Sequence, residues 1–224
     1  MLGGNRLEPG RKRVAVIGLG RFGSSVARVS RELGYDVTAI DISEQRVAEA
    51  ADYATLSAQA NGSDEEALLS LGVDRSEVGV VGQGQNVEAS INCALILKRI
   101  GVPWVIAKAE SDIHGEILSR VGADRIIYPE SEAGAQVAHS LEIRHSVAYM
   151  NLTPTSGVVR MVVPEHAVGK TVGDLDSTQP DNCILLLLRG NLLLPRPAAD
   201  MALQKGDTLL VAGLDDAIDT FADS

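Results

Sequence analysis

The sequence predicts an α/β fold: a Rossmann-like doubly wound parallel sheet followed by a small α+β domain. Three observations carry this. From Arg13 onward, short β-branched runs alternate with segments of helical spacing, the signature of βαβ units feeding a parallel sheet. Apolar residues make up 45% of the chain but aromatic residues only 3%, so the core must be built from Val, Ile, Leu and Ala, as in parallel sheets. A glycine-spaced turn, Gly18-x-Gly20-x-x-Gly23, closes the first apolar run.

In order, strands are expected at Val14–Ile17, Val37–Ile40, Tyr53–Ser57, Val78–Val81, Trp104–Ala107 and Arg125–Tyr128. Helices are expected between them at Ser24–Leu33, Ser43–Ala51, Asp64–Leu71, Asn86–Ile100 and Asp112–Val121. Ser63 followed by Glu66 reads as a capping box, and Gly34, Gly72, Gly101 and Gly122 stand where C-terminal caps belong. A sixth helix is expected from Glu132 to His145, and the texture changes at Met150–Gly157.

Beyond that change come a strand at Val158–Val163, a helical turn near Thr171–Leu175 and a hairpin of Cys183–Leu188 with Leu192–Leu194 around Gly190. A strand at Thr208–Ala212 and a helix at Asp215–Ala222 complete the chain. The expected organisation is a flexible leader at 1–12, a nucleotide-binding domain at 13–148 and a smaller domain at 149–224.

Gly18-x-Gly20-x-x-Gly23 follows a predicted strand and opens a predicted helix, the context a dinucleotide fingerprint requires. The first glycine makes the turn, the second lets phosphate approach the backbone, and the third lets helix pack on strand. The helix N-terminus offers unpaired N–H groups to an anion. Asp41 closes the second strand, where a carboxylate accepts hydrogen bonds from ribose hydroxyls and opposes a 2′-phosphate. An adenosine nucleotide without a 2′-phosphate is therefore expected; a packing turn with no ligand is the alternative.

Other chemistry is disfavoured. The formal net charge of −10 has the wrong sign for a nucleic-acid partner. Cys93 and Cys183 are far apart and have no metal-ligand spacing around them, which fits a reducing cytoplasm. The longest apolar run, Cys183–Leu188, falls short of the ~18 residues of a membrane span. No signal-peptide pattern follows the basic start, so any membrane role is expected to come through a partner. No tyrosine is followed four residues later by lysine, as a short-chain reductase needs, and His114, His139, His145 and His166 are scattered and expected at the surface. Gly169-Lys170-Thr171 resembles the end of a phosphate loop, but Pro164 stands where that pattern needs glycine.

VIGLGRFGSS, the Asp41 strand end, NVEAS at Asn86–Ser90, Ile106-Ala107-Lys108-Ala109 and above all GADRIIYPE at Gly122–Glu130 together resemble the Ktr/Trk family of bacterial potassium-uptake regulators, the regulator-of-potassium-conductance (RCK) proteins. The resemblance spans about residues 13–222. It implies a cytosolic regulatory subunit without catalytic turnover, assembled from dimers into a homo-octameric ring beneath a membrane-embedded potassium-translocating subunit. It also implies an RCK N-domain that binds ATP or ADP in the Ktr branch and NAD or NADH in the Trk branch. The short chain matches the Ktr type, which favours ATP/ADP.

By this resemblance the nucleotide is held by Gly18, Gly20, Arg21, Phe22, Gly23 and Asp41, with Arg21 reaching the terminal phosphates at a dimer interface. Arginine suits that task because its guanidinium forms paired, charge-assisted hydrogen bonds to phosphate. Lys108 and Arg125 are placed near the same pocket, a surface or intrasheet ion pair being the alternative. Glu130 is expected to hold Mg or another cation near the γ-phosphate, or to be a solvated carboxylate.

Ala60, Asn61 and Gln83 follow the third and fourth strands at the sheet's carboxyl edge, where polar groups read adenine or ribose. Cyclic di-AMP binds the C-terminal domain in some members of the family. Here the arginine of that groove is missing and Lys170 stands in its place, which argues against this second ligand. An NAD-dependent oxidoreductase and an NAD-redox sensor without turnover are the competing readings.

Overall fold

The computed structural model describes residues 12–84, 86–142, 146–153, 155–178 and 181–223. Residues 1–11 of the expected leader, and His145, lie outside them. The chain divides into two compact units, 1–129 and 130–224.

The first unit is a six-stranded parallel sheet in the order β3-β2-β1-β4-β5-β6. Its strands are β1 (Arg13–Ile17), β2 (Asp36–Asp41), β3 (Leu56–Gln59), β4 (Val78–Val81), β5 (Trp104–Lys108) and β6 (Arg125–Ile127). The helices between them are α1 (Arg21–Glu32), α2 (Glu44–Ala50), α3 (Glu65–Ser70), α4 (Val87–Arg99) and α5 (Asp112–Arg120). Alternation along β1 explains the two-sided core. Ala15 and Ile17 enter a cluster with Leu68, Cys93, Leu97 and Leu118, while Val14 and Val16 enter another with Ala27, Val37 and Ala39. The chain winds outward from β1 through β2 and β3, then reverses through β4, so the crevice between the carboxyl ends of β1 and β4 is a topological switch point.

Three boundaries differ from expectation for local reasons. Helix α1 begins at Arg21, with Gly20 as N-cap, which puts the arginine in the first turn. Strand β3 starts at Leu56 rather than Tyr53, because the Tyr53 and Ala54 amides still bond Ala50 O at the end of α2. Asp64, not Ser63, caps α3 by accepting from the Ala67 N–H. Gly34, Gly72, Gly101 and Gly122 all take the positive φ expected of C-terminal caps.

Helix α6 (Pro129–Glu142) begins at the last residue of the first unit and continues into the second, three residues earlier than the spacing predicts, with proline in the first turn where its missing N–H costs nothing. An antiparallel sheet follows in the order β10-β9-β11-β8-β7. Its strands are β7 (Ser146–Thr153), β8 (Ser156–Val162), β9 (Asn182–Arg189), β10 (Leu192–Pro195) and β11 (Thr208–Leu214). Helices α7 (Val172–Thr178) and α8 (Asp215–Asp223) accompany it. Strand β7 is absent from the sequence reading, and position 148 falls inside it. Tyr149 turns inward while Ala148 and Met150 are exposed, so the strand carries little apolar patterning of its own.

Buried Asp207 receives two hydrogen bonds from Arg189, Nε to Oδ1 at 2.9 Å and Nη2 to Oδ2 at 2.7 Å. The Gln204 N–H adds a third at 2.9 Å. The Arg189 hydrogen bonds, helped by that amide and by the guanidinium charge, hold the Asp207 carboxyl below the usual carboxylate range against the opposing effect of burial.

Candidate functional site

The carboxyl edge of the parallel sheet brings together the turns after β1, β2, β4 and β5. The Gly18 N–H donates to Ile40 O and the Gly82 N–H to Ile17 O, each at 2.8 Å, so the turns after β1 and β4 are anchored on neighbouring strand ends.

The three glycines of the first turn separate by cause. Gly18 has φ of +91°, and a Cβ there would lie 2.7 Å from Gln83 N. At Gly23 a Cβ would fall 1.9 Å from Gly18 O, so close packing of helix on turn demands glycine. At Gly20 the backbone is extended (φ −65°, ψ −174°) and a Cβ would meet nothing within 4 Å. Among the described residues nothing requires glycine at position 20; the open space lies at the N-terminus of a twelve-residue helix whose first N–H groups have no intrahelical partner.

Asp41 is 5% exposed and holds this turn in place. Its Oδ2 accepts from the Leu19 N–H at 2.6 Å and its Oδ1 from the Ser43 N–H at 2.8 Å. Arg46 Nη1 lies 3.4 Å from Oδ2. A carboxylate offers about four acceptor sites, so capacity remains for a ribose hydroxyl.

Arg21 is exposed in the first turn of α1, and Phe22 packs partly against the core formed with that helix. Ala60 continues the sheet ladder through its N–H to Asp41 O and rests partly against the core. Asn61 spends its side chain locally, Oδ1 accepting from the Ser63 N–H at 2.9 Å ahead of α3. Gln83 Nε2 donates to Ala89 O at 3.1 Å, which ties the turn after β4 to the start of α4. Lys108 ends β5 at the same edge, only 12% exposed, with Nζ 3.0 Å from Glu110 Oε1.

Two expected residues belong to other elements. Arg125 opens β6, paired with Ile106 in mid-sheet, and β6 is three strands from β1, about 14 Å at ordinary strand spacing. Glu130 lies in the first turn of α6, where a carboxylate complements the helix N-terminus, and belongs to the second unit. Among the described residues no group of three or more His, Cys, Asp or Glu side chains is placed to hold a metal ion.

The sequence reading passed over Arg46, Glu110 and the Leu19 amide. Asp41-x-Ser43 ahead of a helix was a legible signal for an aspartate that caps its own turn, whereas backbone donors leave no residue signature. His114 departs from its expected surface position: it is 2% exposed. His166 is half-buried, edge-on to Phe221, while the side chain of His139 lies outside the described residues.

The TrkA-N domain matches residues 14–129 and the TrkA-C domain residues 158–224. The chain is 35% identical over 204 residues to Ktr system potassium uptake protein A of Bacillus subtilis, covering 90% of this chain and 91% of that protein. It belongs to the Ktr/Trk family. Within the family it is also 33% identical to Ktr system potassium uptake protein A of Vibrio alginolyticus, over 95% of this chain and 97% of that protein. Identity to a Trk system potassium uptake protein TrkA homolog of Methanothermobacter thermautotrophicus is 29%, over 92% and 95%. The GsuK RCK domain shares the fold at TM-score 0.63 and 15% identity, covering 97% of this chain and 48% of that one. No helix among the described residues is long and apolar enough to cross a membrane.

Proposed function

We propose that this chain is a cytosolic, non-catalytic regulatory subunit of a potassium-uptake system that senses ATP against ADP at the β1–β4 edge. The observation that carries the reading is Gly20. Position 20 meets no demand from the described residues, lies at the N-terminus of α1 beside Arg21, and follows Leu19, whose amide is held by Asp41. A phosphate approaching the backbone there gives glycine a reason that packing does not.

Asp41 takes the ribose, and its charge disfavours a 2′-phosphate. Gly18, Gly20, Phe22 and Gly23 shape the phosphate cradle; Arg21 and Lys108 supply positive charge for terminal phosphates; Ala60, Asn61 and Gln83 border the nucleoside. Arg125 lies away from this edge within the chain, so a role for it requires a second copy in a ring of dimers. A cation such as Mg at Glu130 would draw most of its oxygens from the nucleotide. The relatives named for potassium uptake support a membrane-embedded potassium-translocating subunit as partner, with an octameric ring as the working assembly.

A ligand shifts a two-state equilibrium only through its differential affinity for the two states, and ATP and ADP differ at the terminal phosphate, where Arg21 reaches. NAD(H) sensing is the competing outcome, since Asp41 suits any adenosine with a free 2′-hydroxyl. Native mass spectrometry of the purified chain, with calorimetric titration of ATP, ADP, NADH and NADPH, tests the reading. Binding of ATP and ADP at distinct affinities supports it; preference for NADH, or binding of none, overturns it. Cyclic di-AMP in the second unit is checked in the same titration, Lys170 being its expected contact.

A further inference from the structure

Outside the phosphate cradle, the first unit holds a buried chain of hydrogen bonds around His114. The ring is 2% exposed and Ser90 on α4 is fully buried. The Glu110 N–H lies 3.2 Å from His114 Nδ1, and His114 Nε2 lies 2.7 Å from Ser90 Oγ. Ser90 Oγ is 2.9 Å from Val87 O.

A backbone amide can only donate, so Nδ1 is the bare nitrogen and the ring proton sits on Nε2. Nε2–H then donates to Ser90 Oγ, and the hydroxyl hydrogen goes to Val87 O. Every donor in the chain finds an acceptor, as buried polar groups require. Burial also lowers the affinity of the imidazole for a second proton, against the opposing pull of the nearby Glu110 charge. A second proton on Nδ1 would face the Glu110 N–H and break the chain.

The turn fixed in this way is the one that presents cations and anions to the site. Lys108 Nζ pairs with Glu110 Oε1. That same oxygen lies 2.0 Å from where a Cβ would stand at Gly84, so the turn after β5 rests on the glycine turn after β4.

We infer that His114, as its neutral Nε2–H tautomer, is a positioning residue that locks the 108–111 turn to α4 and so holds Lys108 and Glu110 at the ligand edge. A histidine that merely filled the core would do so by volume; here its two nitrogens act on two separate elements. The inference rests on the proposed nucleotide site for its binding arm alone.

The two hydrogen bonds can be separated in the full chain. In His114→Asn the side-chain amide reaches the Nδ1 position and can accept from Glu110; in His114→Gln it reaches the Nε2 position and can contact Ser90. Amide hydrogen exchange is expected to accelerate about tenfold at Glu110 and Ser111 in His114→Gln, the scale of one lost hydrogen bond. In His114→Asn it should stay within about threefold of the parent by the same reasoning. ATP affinity should follow the same order.

Equal exchange in the two variants, or faster exchange in His114→Asn, overturns the inference. If neither variant folds, imidazole nitrogen resonances of the parent decide: a bare Nδ1 supports it and a bare Nε2 overturns it. If the parent binds no adenine nucleotide, the proposed site falls, while the exchange result still decides the role of His114.

Discussion

The Leu19 N–H donates to Asp41 Oδ2 across 2.6 Å, linking the glycine turn after β1 to the end of the neighbouring strand, twenty-two residues further along the chain. The carboxylate expected to read a ribose is therefore also the clamp that sets where the phosphate turn stands. Asp41→Asn places an NH₂ among groups that all donate, so one buried N–H loses its acceptor. The expected cost is about 1–3 kcal/mol of unfolding free energy, together with loss of adenosine-nucleotide binding. Urea denaturation with an unchanged slope, alongside calorimetry, checks both; unchanged stability with lost binding would confine Asp41 to the ligand.

Gly20 and Gly23 should respond in opposite ways to the same substitution. Gly20→Ala adds a methyl group in open space on ordinary extended backbone, and is expected to leave stability unchanged or raise it by about 0.4–1 kcal/mol. It should nonetheless weaken nucleotide binding, because the methyl group occupies the path of the phosphate. Gly23→Ala drives a methyl group into Gly18 O and is expected to cost about 1–3 kcal/mol or more. Thermal unfolding and titration of the two variants side by side test the separation; a Gly20→Ala variant with parental affinity would leave the open turn without a ligand.

Arg21 stands exposed in the first turn of α1, so its loss should spare the fold. Arg21→Ala is expected to bring ATP and ADP affinities together, with ATP losing about tenfold or more on the scale of a charge-assisted hydrogen bond of roughly 1.5–3 kcal/mol. Binding of the adenosine moiety should survive in part. Calorimetry that returned the parental ATP/ADP ratio would remove Arg21 from phosphate sensing.

In the second unit the test is a pH profile. The carboxyl of Asp207 is held below its ordinary range chiefly by the Arg189 hydrogen bonds, so the unfolded chain takes up this proton at a higher pH than the folded one. Its stabilising contribution is therefore fully present above the unfolded value of about 3.9 and is lost as pH falls through the lower folded value. The melting temperature of the parent should exceed that of Asp207→Asn by a constant margin near neutrality, and the margin should shrink below about pH 4. A margin that stayed level into that acid range would contradict the ion pair's role.

Much of the architecture was legible because βαβ units advertise themselves. The runs at Val14–Ile17 and Val78–Val81 are buried on both faces and read as continuous apolar strands. The cap glycines take a φ that other residues resist, so their positions carried meaning. Strand β7 was not legible, since it is defined by its pairing with β8 and one inward tyrosine rather than by its own pattern. Helix α1 starts three residues before the expected Ser24, because Gly20 both belongs to the glycine turn and serves as the helix N-cap.

By itself, the sequence determined the doubly wound fold, the glycine turn, the acidic strand end and, through GADRIIYPE, the family. These depend on local periodicity, backbone restriction and motif spacing, which a single chain displays directly. Only the tertiary structure decided which glycine is open to a ligand, that Asp41 bonds the Leu19 amide, that Lys108 pairs with Glu110, and that His114 is a buried link rather than a surface side chain. The Leu19–Asp41 and Ser90–His114 contacts join groups 22 and 24 residues apart, and hydrogen-bond partners chosen across such distances leave no periodic trace; Lys108 and Glu110 are close in sequence, but their pairing is set by the shape of the turn after β5.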